Sequence, residues 1–590
     1  MVGTLTLVLV GLLVYTAVAM LLREREVLPE WIRLSGPLTT VHTRKGRALL
    51  DRLARPRRAW RAWGNFGVGV ALVVMVGSFF LVVLAGYQAF VNPQPSPLTQ
   101  PRNVVAIPGV NEFLPLSLAP EIVAGLVLGL IVHEGGHGLM CRVEDIDISS
   151  MGLVFLAIVP IGAFVEPDEE SRERADRGAQ TRMFSAGVMN NFALAAIALL
   201  LLVGPVVASI GVVAGVPVGG VLPGSGAAGA GIKPGDVVTA VDGRQVGSSD
   251  DLEAALADAD SQRVPVTLRD GSTVSVERSL VVTAAAQNAP VPINTTITAI
   301  NGTPVYTNRG LERLAANHTV AAISTAGRGE ITAPLGAAAT VAEEGALAGQ
   351  GAPAGTRVVV TSIDGHRTVT GQALFDVMQG RDPGDEVTVT AYVDGQRRVY
   401  DLTLGKANSE GTGTIGVVGV QRGISGFEAN DFGIQAYPAG EFLTLLGGQT
   451  DEQTRTRSLS LPQRTVALIA LPFASVALGS TYNFPGFTGI ATNFFVVQGP
   501  LAAFGPGVVF ALANLLYWTA WINLIIGQFN CVPSFPLDGG HILRTSSEAI
   551  ISRLPVQGGR RLTTAVTVSI SLIMLAGLFL MVFGPRLFAG

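Results

Sequence analysis

Two histidines and a glutamate in one short motif are the strongest candidates for chemistry in this sequence of 590 residues. The motif is His133-Glu134-Gly-Gly-His137, and residues four apart share one face of a helix. Both imidazoles can therefore reach one metal ion, and Glu134 can take a proton from a water at that ion. A catalytic zinc ion takes three protein ligands and leaves one position for water. We therefore predict a Zn2+ site that needs one further ligand.

The stretch around this motif, Glu121 to Cys141, is long and apolar enough for a helix that spans a membrane. Ionisable side chains are costly in such a helix, so their presence indicates a function. The structural alternative is that the histidines and the glutamate only form hydrogen bonds between helices. Because these residues also have the spacing of a metal motif, the metal site is favoured.

The third metal ligand is expected in a second polar cluster, the segment from Asn530 to His541. Asp538 follows a predicted span, after prolines that favour an extended backbone and before two glycines that allow a turn. The predicted topology places Asp538 and the histidine pair at the same membrane face, so they can meet. Cys141, four residues beyond His137, and His541 are the competing ligands.

The composition also indicates a membrane protein. Hydrophobic residues make up 48% of the sequence and charged residues 14%, whereas soluble proteins carry about 25% charge. The 71 glycines and 33 prolines are too many for a plain helix bundle, so a large β-rich part is expected. Two apolar stretches are too short to span, Gly152 to Val165 and Val466 to Leu478. Six stretches are predicted to span the membrane: Val2 to Leu22, Phe66 to Phe90, Glu121 to Cys141, Phe184 to Val213, Val508 to Phe529 and Leu562 to Phe583.

The charges of the loops predict the orientation of these spans. Lysine and arginine are concentrated between Arg23 and Gly64, which places that loop in the cytoplasm. When the six predicted spans are counted from this cytoplasmic loop, Ala214 to Arg464 is exported and the histidine motif lies near the cytoplasmic face. The net charge of −4, without a basic tail, argues against a nucleic-acid partner.

The exported region contains an internal repeat. Val238-Thr-Ala-Val-Asp-Gly243 recurs as Ile297-Thr-Ala-Ile-Asn-Gly302 and as Val360-Thr-Ser-Ile-Asp-Gly365. Each copy is a strand that enters a tight turn, followed by a short helical stretch. The pattern resembles PDZ domains of the bacterial periplasmic-protease type, which implies peptide C-termini or extended segments as ligands at a sheet edge. The middle copy is expected to be truncated or fused with a neighbour, and β-rich repeats without a ligand are the alternative.

Three motifs in combination resemble the site-2 proteases, which are intramembrane zinc metalloproteases. They are the histidine motif, then Ser185-Ala-Gly-Val-Met-Asn-Asn-Phe192, and finally Pro536-Leu-Asp-Gly-Gly540. They occur in family order, with the PDZ-like region between the second and the third. The resemblance implies a membrane-entering β-hairpin at Gly152 to Val165, which pairs with the substrate as a strand.

The same resemblance implies a role for each matching residue. The ligands of Zn2+ are His133, His137 and Asp538. Glu134 is the catalytic base, and Asn191 hydrogen-bonds the active-site water or the developing oxyanion. An extended, proline-containing segment with Asn530, Pro533 and Pro536 handles the substrate.

The predicted fold is a polytopic α-helical membrane protein with about six transmembrane helices and an inserted β-rich, PDZ-like region. Its parts in chain order are a first anchor (1–22), a basic cytoplasmic loop (23–64), a second span (65–90), the first half of the protease core (121–214), a PDZ-like module (215–283), a partial repeat (284–336), a further module (337–405), a linker with an interfacial segment (406–504), the second half of the core (505–561) and a last span (562–583).

The expected function is that of a multi-pass protease of the cell membrane, which cleaves transmembrane segments near the cytoplasmic face. Its expected partners are the lipid bilayer and single-span membrane proteins already trimmed outside, and the expected consequence is regulated release of a membrane-tethered factor. A non-enzymatic membrane scaffold or chaperone with a structural metal is the main alternative. A metal transporter is a weaker one, because a single metal site is evident.

Overall fold

The structure, a computed structural model, describes residues 4–25, 29, 31–104, 106–259, 261–406, 412–448, 460–555 and 558–588. The chain forms two compact units. One is the insert Val213–Ala439, and the other is built from the chain on both sides of it. The predicted insert is therefore a unit of its own, but it extends further than residue 405, where the last PDZ-like module was expected to end.

The helices of the described residues differ widely in length, from single turns to spans of 35 residues. They are α1 (Thr4–Glu24), α2 (Arg44–Leu53), α3 (Arg57–Val91), α4 (Pro101–Val104), α5 (Ala119–Val143), α6 (Glu169–Arg174), α7 (Arg177–Leu201), α8 (Gly226–Gly229), α9 (Ser249–Asp258), α10 (Asn308–Asn317), α11 (Ala346–Gly349), α12 (Gly371–Met378), α13 (Ala439–Leu445), α14 (Leu461–Ala470), α15 (Ala474–Ala477), α16 (Pro506–Asn530), α17 (Asp538–Ile551) and α18 (Gly559–Leu587).

Helices long and apolar enough to cross a membrane occur in the described part of the chain at five places. The five correspond to the second to sixth predicted spans. The first predicted span forms α1 but is not among them, so a total of six spans stays a prediction. The chain is thus a membrane protein of α-helices with an inserted β-rich unit. The five segments are Arg57–Val91, Leu116–Val143, Arg177–Ser209, Pro506–Asn530 and Gly559–Leu587.

Small residues let these helices approach one another closely. A Cβ atom on Gly86 of α3 would lie 3.0 Å from the backbone of Gly577 in α18, and one on Gly125 of α5 would lie 3.1 Å from the backbone of Thr519 in α16. Among apolar helices in lipid, such packing contacts replace the hydrophobic effect as the force of association. Helix α7 packs against α3, α5, α16 and α17, so it lies at the centre of this bundle.

Within the residues that the structure describes, the strands form one sheet with β1 to β4, three sheets in the insert and two small pairs. They are β1 (Ile32–Ser35), β2 (Leu38–His42), β3 (Ile148–Leu156), β4 (Val159–Pro167), β5 (Ile210–Val212), β6 (Val216–Val221), β7 (Val237–Val241), β8 (Arg244–Gln245), β9 (Arg263–Leu268), β10 (Thr273–Glu277), β11 (Leu280–Ala285), β12 (Thr296–Ile300), β13 (Thr303–Pro304), β14 (Val320–Thr325), β15 (Gly329–Pro334), β16 (Ala337–Val341), β17 (Arg357–Ile363), β18 (His366–Arg367), β19 (Glu386–Val393), β20 (Gln396–Thr403), β21 (Gly405–Lys406), β22 (Gly413–Thr414), β23 (Val417–Val418), β24 (Phe427–Asn430), β25 (Ile434–Ala436) and β26 (Phe495–Val497).

The hairpin predicted at Gly152 to Val165 is present as β3 and β4. It is longer than predicted, and it belongs to an antiparallel sheet of the order β1-β2-β3-β4. Strands β1 and β2 come from the basic segment between residues 23 and 64, which was expected to be only a loop. Leu38 to His42 pairs with Leu156 to Gly152, so this segment is folded against the hairpin. β4 is left as one edge of the sheet.

The insert contains three six-stranded sheets with the same strand order. The orders are β10-β9-β7-β6-β25, β15-β14-β12-β11-β24 and β20-β19-β17-β16-β23, each with a two-residue strand paired to its central strand. The three repeated motifs form the central strands β7, β12 and β17. The turn residues Asp242, Asn301 and Asp364 have φ values of 51°, 48° and 48°, a left-handed conformation that Asp and Asn tolerate best among residues other than glycine.

This architecture corrects two expectations. The middle copy has a complete sheet of its own, so it is not truncated. Residues 417–436, assigned to a linker, contribute the edge strands β23, β24 and β25 to the third, second and first sheets in turn. The copies are therefore nested within one another. The sequence did not reveal this because strands of two to four residues carry no repeated motif, and their partners lie far away in the chain.

A buried ion pair joins the first two sheets of the insert. The guanidinium group of Arg278, 2% exposed, donates to the carboxylate of Asp431 and to the carbonyl oxygens of Leu256 and Ala259. Asp431 also accepts a hydrogen bond from the backbone N–H of Asn308, at the start of α10. Because a buried charge is costly without its partner, this pair holds the link between β24 and β25 in place.

Residues 461–497, expected to be partly interfacial, pack against α16. The side chain of Asn514 accepts a hydrogen bond from the N–H of Phe487 (2.8 Å) and donates one to its carbonyl oxygen (3.1 Å). Trp518 Nε1 donates to the carbonyl oxygen of Pro485 at 3.0 Å. These side chains satisfy backbone groups of an irregular segment, which is what such a segment requires in apolar surroundings.

Candidate metal centre

Three side chains from two distant parts of the chain converge on one point. His133 and His137 lie one turn apart on α5, and Asp538 is the first residue of α17. The two imidazole Nε2 atoms are 3.1 Å apart, and Asp538 Oδ2 lies 3.1 Å and 3.3 Å from them. The three side chains are only 6–12% exposed. Within the part of the chain that the structure describes, these residues form a group able to hold a metal ion.

The geometry of this group fits tetrahedral zinc. Zinc binds imidazole nitrogen and carboxylate oxygen at about 2.0–2.1 Å, and two ligands at the tetrahedral angle are then about 3.3 Å apart. The separations of 3.1–3.3 Å agree with this value. Asp538 Oδ2 is buried without a hydrogen-bond partner among the described residues. With the lone pairs of both Nε2 atoms directed at the carboxylate oxygen, a bound cation would offset their mutual repulsion, so the donor set fits the metal.

The other ring nitrogen of each histidine also has a partner. His137 Nδ1 lies 2.9 Å from the carbonyl oxygen of Met183, and His133 Nδ1 lies 3.3 Å from the side-chain amide of Asn191. Because a carbonyl oxygen can only accept, His137 carries its proton on Nδ1 and directs the lone pair of Nε2 to the metal position. In the structure the amide nitrogen of Asn191 faces the ring of His133, which leaves Oδ1 a buried acceptor without a partner in the described chain. Rotation of the amide by 180° would place Oδ1 against Nδ1 and give His133 the same tautomer as His137.

Asn191 was expected to hydrogen-bond the active-site water or the developing oxyanion. In the structure it is completely buried, and its amide contacts the ring of His133. This contact supports a role in orienting a metal ligand. The role toward water or the oxyanion stays a prediction.

The predicted base, Glu134, is held by the hairpin. Its Oε2 accepts a hydrogen bond of 2.9 Å from the backbone N–H of Val165 in β4. The second oxygen, Oε1, takes no part in that bond. The carboxylate is therefore ordered beside the first histidine with one oxygen able to accept a proton.

Glycines in the two motifs allow α5 and α7 to meet at the site. A Cβ atom on Gly187 would lie 2.6 Å from His137 Nε2 and 2.9 Å from Cε1 of His133. One on Gly136 would lie 2.8 Å from the carbonyl oxygen of Ala186. Real Cβ atoms essentially never approach within 3.0 Å. Gly187 therefore leaves the space that the imidazoles occupy, and Gly136 allows the two helices to touch.

The competing ligands Cys141 and His541 lie outside the group. The buried thiol of Cys141 is 3.4 Å from the sulfur of Met183. His541 stacks on Phe184 with ring centroids 4.3 Å apart, and burial lowers the pKa of its imidazole below the usual value. The structure thus favours Asp538 as the third ligand.

The segment between α16 and α17 carries the residues predicted to handle the substrate. Asn530 is the last residue of α16, Pro533 is buried, and Pro536 is exposed. The expectation of an extended backbone is wrong. Backbone N–H groups between residues 532 and 537 bond to carbonyl oxygens two or three residues earlier, so the chain turns repeatedly. Because the backbone groups of this segment bond to one another in turns, the segment is not a strand. It ends at Asp538, the first residue of α17.

Two groups at the site had no signal in the sequence. They are the carbonyl oxygen of Met183 and the N–H of Val165. Every residue other than proline has both backbone groups, so side-chain type does not reveal which ones meet a catalytic residue.

Comparison with known proteins agrees with this geometry. Residues 121–575 match peptidase family M50. The chain is 33% identical over 97 residues to a zinc metalloprotease of Methanocaldococcus jannaschii, covering 15% of this chain and 26% of the relative. It is 26% identical over 157 residues to an uncharacterized protein of the same organism, covering 26% of this chain and 40% of that protein. The chain thus spans less than half the length of these curated relatives. The family match, in contrast, covers most of this chain and contains all the residues of the metal centre. The chain belongs to peptidase family M50, the site-2 protease family.

Proposed function

We propose that the protein is a zinc metalloendopeptidase that hydrolyses peptide bonds within transmembrane segments of other membrane proteins. The observation that carries this proposal is the convergence of His133, His137 and Asp538 beside Glu134, on a helix apolar enough to span a membrane. Ionisable groups at such a depth are costly, and a functional role explains their presence.

The mechanism follows from the roles of the chain's own residues. Zinc, when bound by the three ligands, supplies the Lewis acidity that polarises the scissile carbonyl group and activates a water. Glu134 accepts the proton of the attacking water at Oε1 and passes it to the leaving amide nitrogen, so one water yields a carboxyl and an amine. Met183 holds His137 in the tautomer whose Nε2 binds the metal, and Asn191, with Oδ1 turned toward the ring, does the same for His133.

An apolar groove beside α5 supports a transmembrane substrate. The groove has a volume of about 590 Å³ and is lined by residues that include Val127 and Ile131 of α5 and Pro160 of β4. Ile131 lies three residues before Glu134, so the groove ends within one helical turn of the base. A helix hides its peptide bonds in its own hydrogen bonds, so the substrate must unwind there. The edge strand β4 is a partner for the extended segment.

The three sheets of the insert are proposed to select the substrate. Strands β23, β24 and β25 each end the strand order of their sheet, and a sheet edge is where an extended peptide or a peptide C-terminus can add as a further strand. In this proposal they exclude intact proteins and admit single-span proteins already trimmed outside. The loop charges favour an insert outside the cell membrane and an active site near the cytoplasmic face.

Purified protein tests the activity directly. In detergent with zinc, the wild type is expected to cleave a single-span membrane protein, and Glu134→Gln is expected to keep its zinc and lose cleavage by a factor of about 10² to 10⁴. Asp538→Ala is expected to lower zinc occupancy. Equal cleavage by wild type and Glu134→Gln would remove the base from the mechanism. Zinc binding without cleavage by either protein would favour the scaffold or chaperone.

A second experiment tests the orientation. A reporter inserted between residues 245 and 400 is expected to give a signal outside the cytoplasm. A cytoplasmic signal would invert the topology and place the proposed substrate filter on the wrong side of the membrane.

A further inference from the structure

Strand β4 runs along the part of α5 that carries the base. A Cβ atom on Gly162 would lie 2.7 Å from the side chain of Leu130, and one on Gly138 would lie 3.3 Å from the side chain of Val165. Leu130 and Gly138 stand four residues before and four residues after Glu134. The strand is therefore packed against the helix on both sides of the base, and glycines at both contacts allow the close approach.

The hydrogen bond from β4 to the base arises from the position of this strand in its sheet. β4 is an edge strand, so every second residue directs its N–H and carbonyl groups away from β3. Val165 is one of these residues, and its N–H donates to Glu134 Oε2 at 2.9 Å. A glutamate side chain has several rotatable bonds, and this backbone donor selects one arrangement of its carboxylate.

We propose that Val165 is a positioning residue, whose backbone N–H holds the carboxylate of Glu134 in the arrangement needed for proton transfer. The inference rests on the proposed function. It assigns the hairpin a second task besides the proposed contact with a substrate, because the strand proposed to pair with the substrate also orients the base. A backbone donor suits this task, since it is fixed by the sheet and cannot rotate away as a side chain can.

Removing the donor should lower kcat and leave the metal in place. Val165→Pro deletes the N–H at an edge position, where proline is tolerated in sheets. Val165→Thr is the matched control, because it changes the side chain and keeps the N–H. We expect kcat of Val165→Pro to fall about 10- to 100-fold, as for the loss of a hydrogen bond to a charged group. KM and zinc content should stay near the wild-type values, and kcat of Val165→Thr, which keeps the donor, should exceed kcat of Val165→Pro.

A second variant covers the case in which proline disturbs the hairpin. Incorporation of the α-hydroxy acid analogue of valine at position 165 replaces only the N–H with oxygen. Loss of kcat in this ester variant, with zinc content and KM retained, supports the inference even if Val165→Pro loses its zinc. An ester variant with wild-type kcat overturns it. Absence of cleavage by the wild type would instead reject the proposed function, so the two failures are distinct.

Discussion

Replacement of Asn191 with leucine is expected to weaken zinc binding about 10- to 100-fold without unfolding the protein. Leucine has nearly the shape of asparagine but neither donates nor accepts a hydrogen bond. The amide of Asn191 lies 3.3 Å from His133 Nδ1 and is completely buried. With Oδ1 of Asn191 turned toward the ring, loss of this amide leaves the ring N–H of His133 without that partner, which costs about 1–3 kcal/mol. Loss of a group that orients a metal ligand typically lowers metal affinity by this same factor of about 10 to 100.

The substitution Asn191→Asp separates the two roles considered for this residue. Aspartate keeps an acceptor for the N–H of His133 but has no N–H for an oxyanion. If Asn191 only orients the ligand, the aspartate variant should bind zinc as tightly as wild type and still cleave. If Asn191 also donates to the oxyanion, this variant should keep its zinc and lose cleavage.

Zinc affinity is best measured in detergent by competition with a chromophoric chelator, and the absorption spectrum of Co2+ bound in place of zinc reports the ligand geometry. Wild-type affinity and an unchanged Co2+ spectrum in Asn191→Leu would refute the positioning role. An aspartate variant that loses zinc as completely as the leucine variant would also contradict this role, because aspartate keeps an acceptor for the N–H of His133 and leucine does not.

Three further substitutions test other parts of the structure. Arg278→Met should destabilise the insert by about 3–5 kcal/mol in chemical unfolding, because it leaves Asp431 buried without its partner; a double variant with Asp431→Leu should recover part of the loss. Gly187→Ala should abolish zinc binding, since its methyl group would overlap the imidazoles, whereas Gly69→Ala, with nothing within 4 Å, should bind zinc normally. Asn514→Ala should expose residues 461–497 to limited proteolysis, because it removes both hydrogen bonds to Phe487; an unchanged digestion pattern would contradict this.

The histidine motif illustrates what can be predicted from local spacing. The positions of His133 and His137 four residues apart on an apolar helix were sufficient to predict a metal site, because that geometry is a property of any α-helix. The repeated strands of the insert were also predicted, since alternation and turn residues act over short distances. The hairpin at β3 and β4 was expected only from the position of Gly152 to Val165 in the family pattern. As the third metal ligand, Asp538 could only be ranked above Cys141 and His541.

The edge strands of the nested insert could not be predicted from local patterns. Each repeated motif predicted its central strand, but the edge strands come from residues 417–436, more than 50 residues beyond the last motif. Strands this short have no periodicity to detect. The prediction of an extended chain between α16 and α17 was wrong for a related reason. It was based on the prolines of this segment, whereas hydrogen bonds within the segment produce turns.

From its residues alone, the chain can be assigned to the membrane, and its two histidines, its base and a short set of candidate third ligands can be named. Only the tertiary structure showed that Asp538 lies beside the two histidines, that Asn191 contacts a histidine, and that the hairpin holds Glu134. The physical reason is distance along the chain. Helical spacing is set by neighbouring residues, whereas contacts between groups 31 to 405 residues apart depend on how helices and strands pack. A backbone donor such as the N–H of Val165 has no signature of its own.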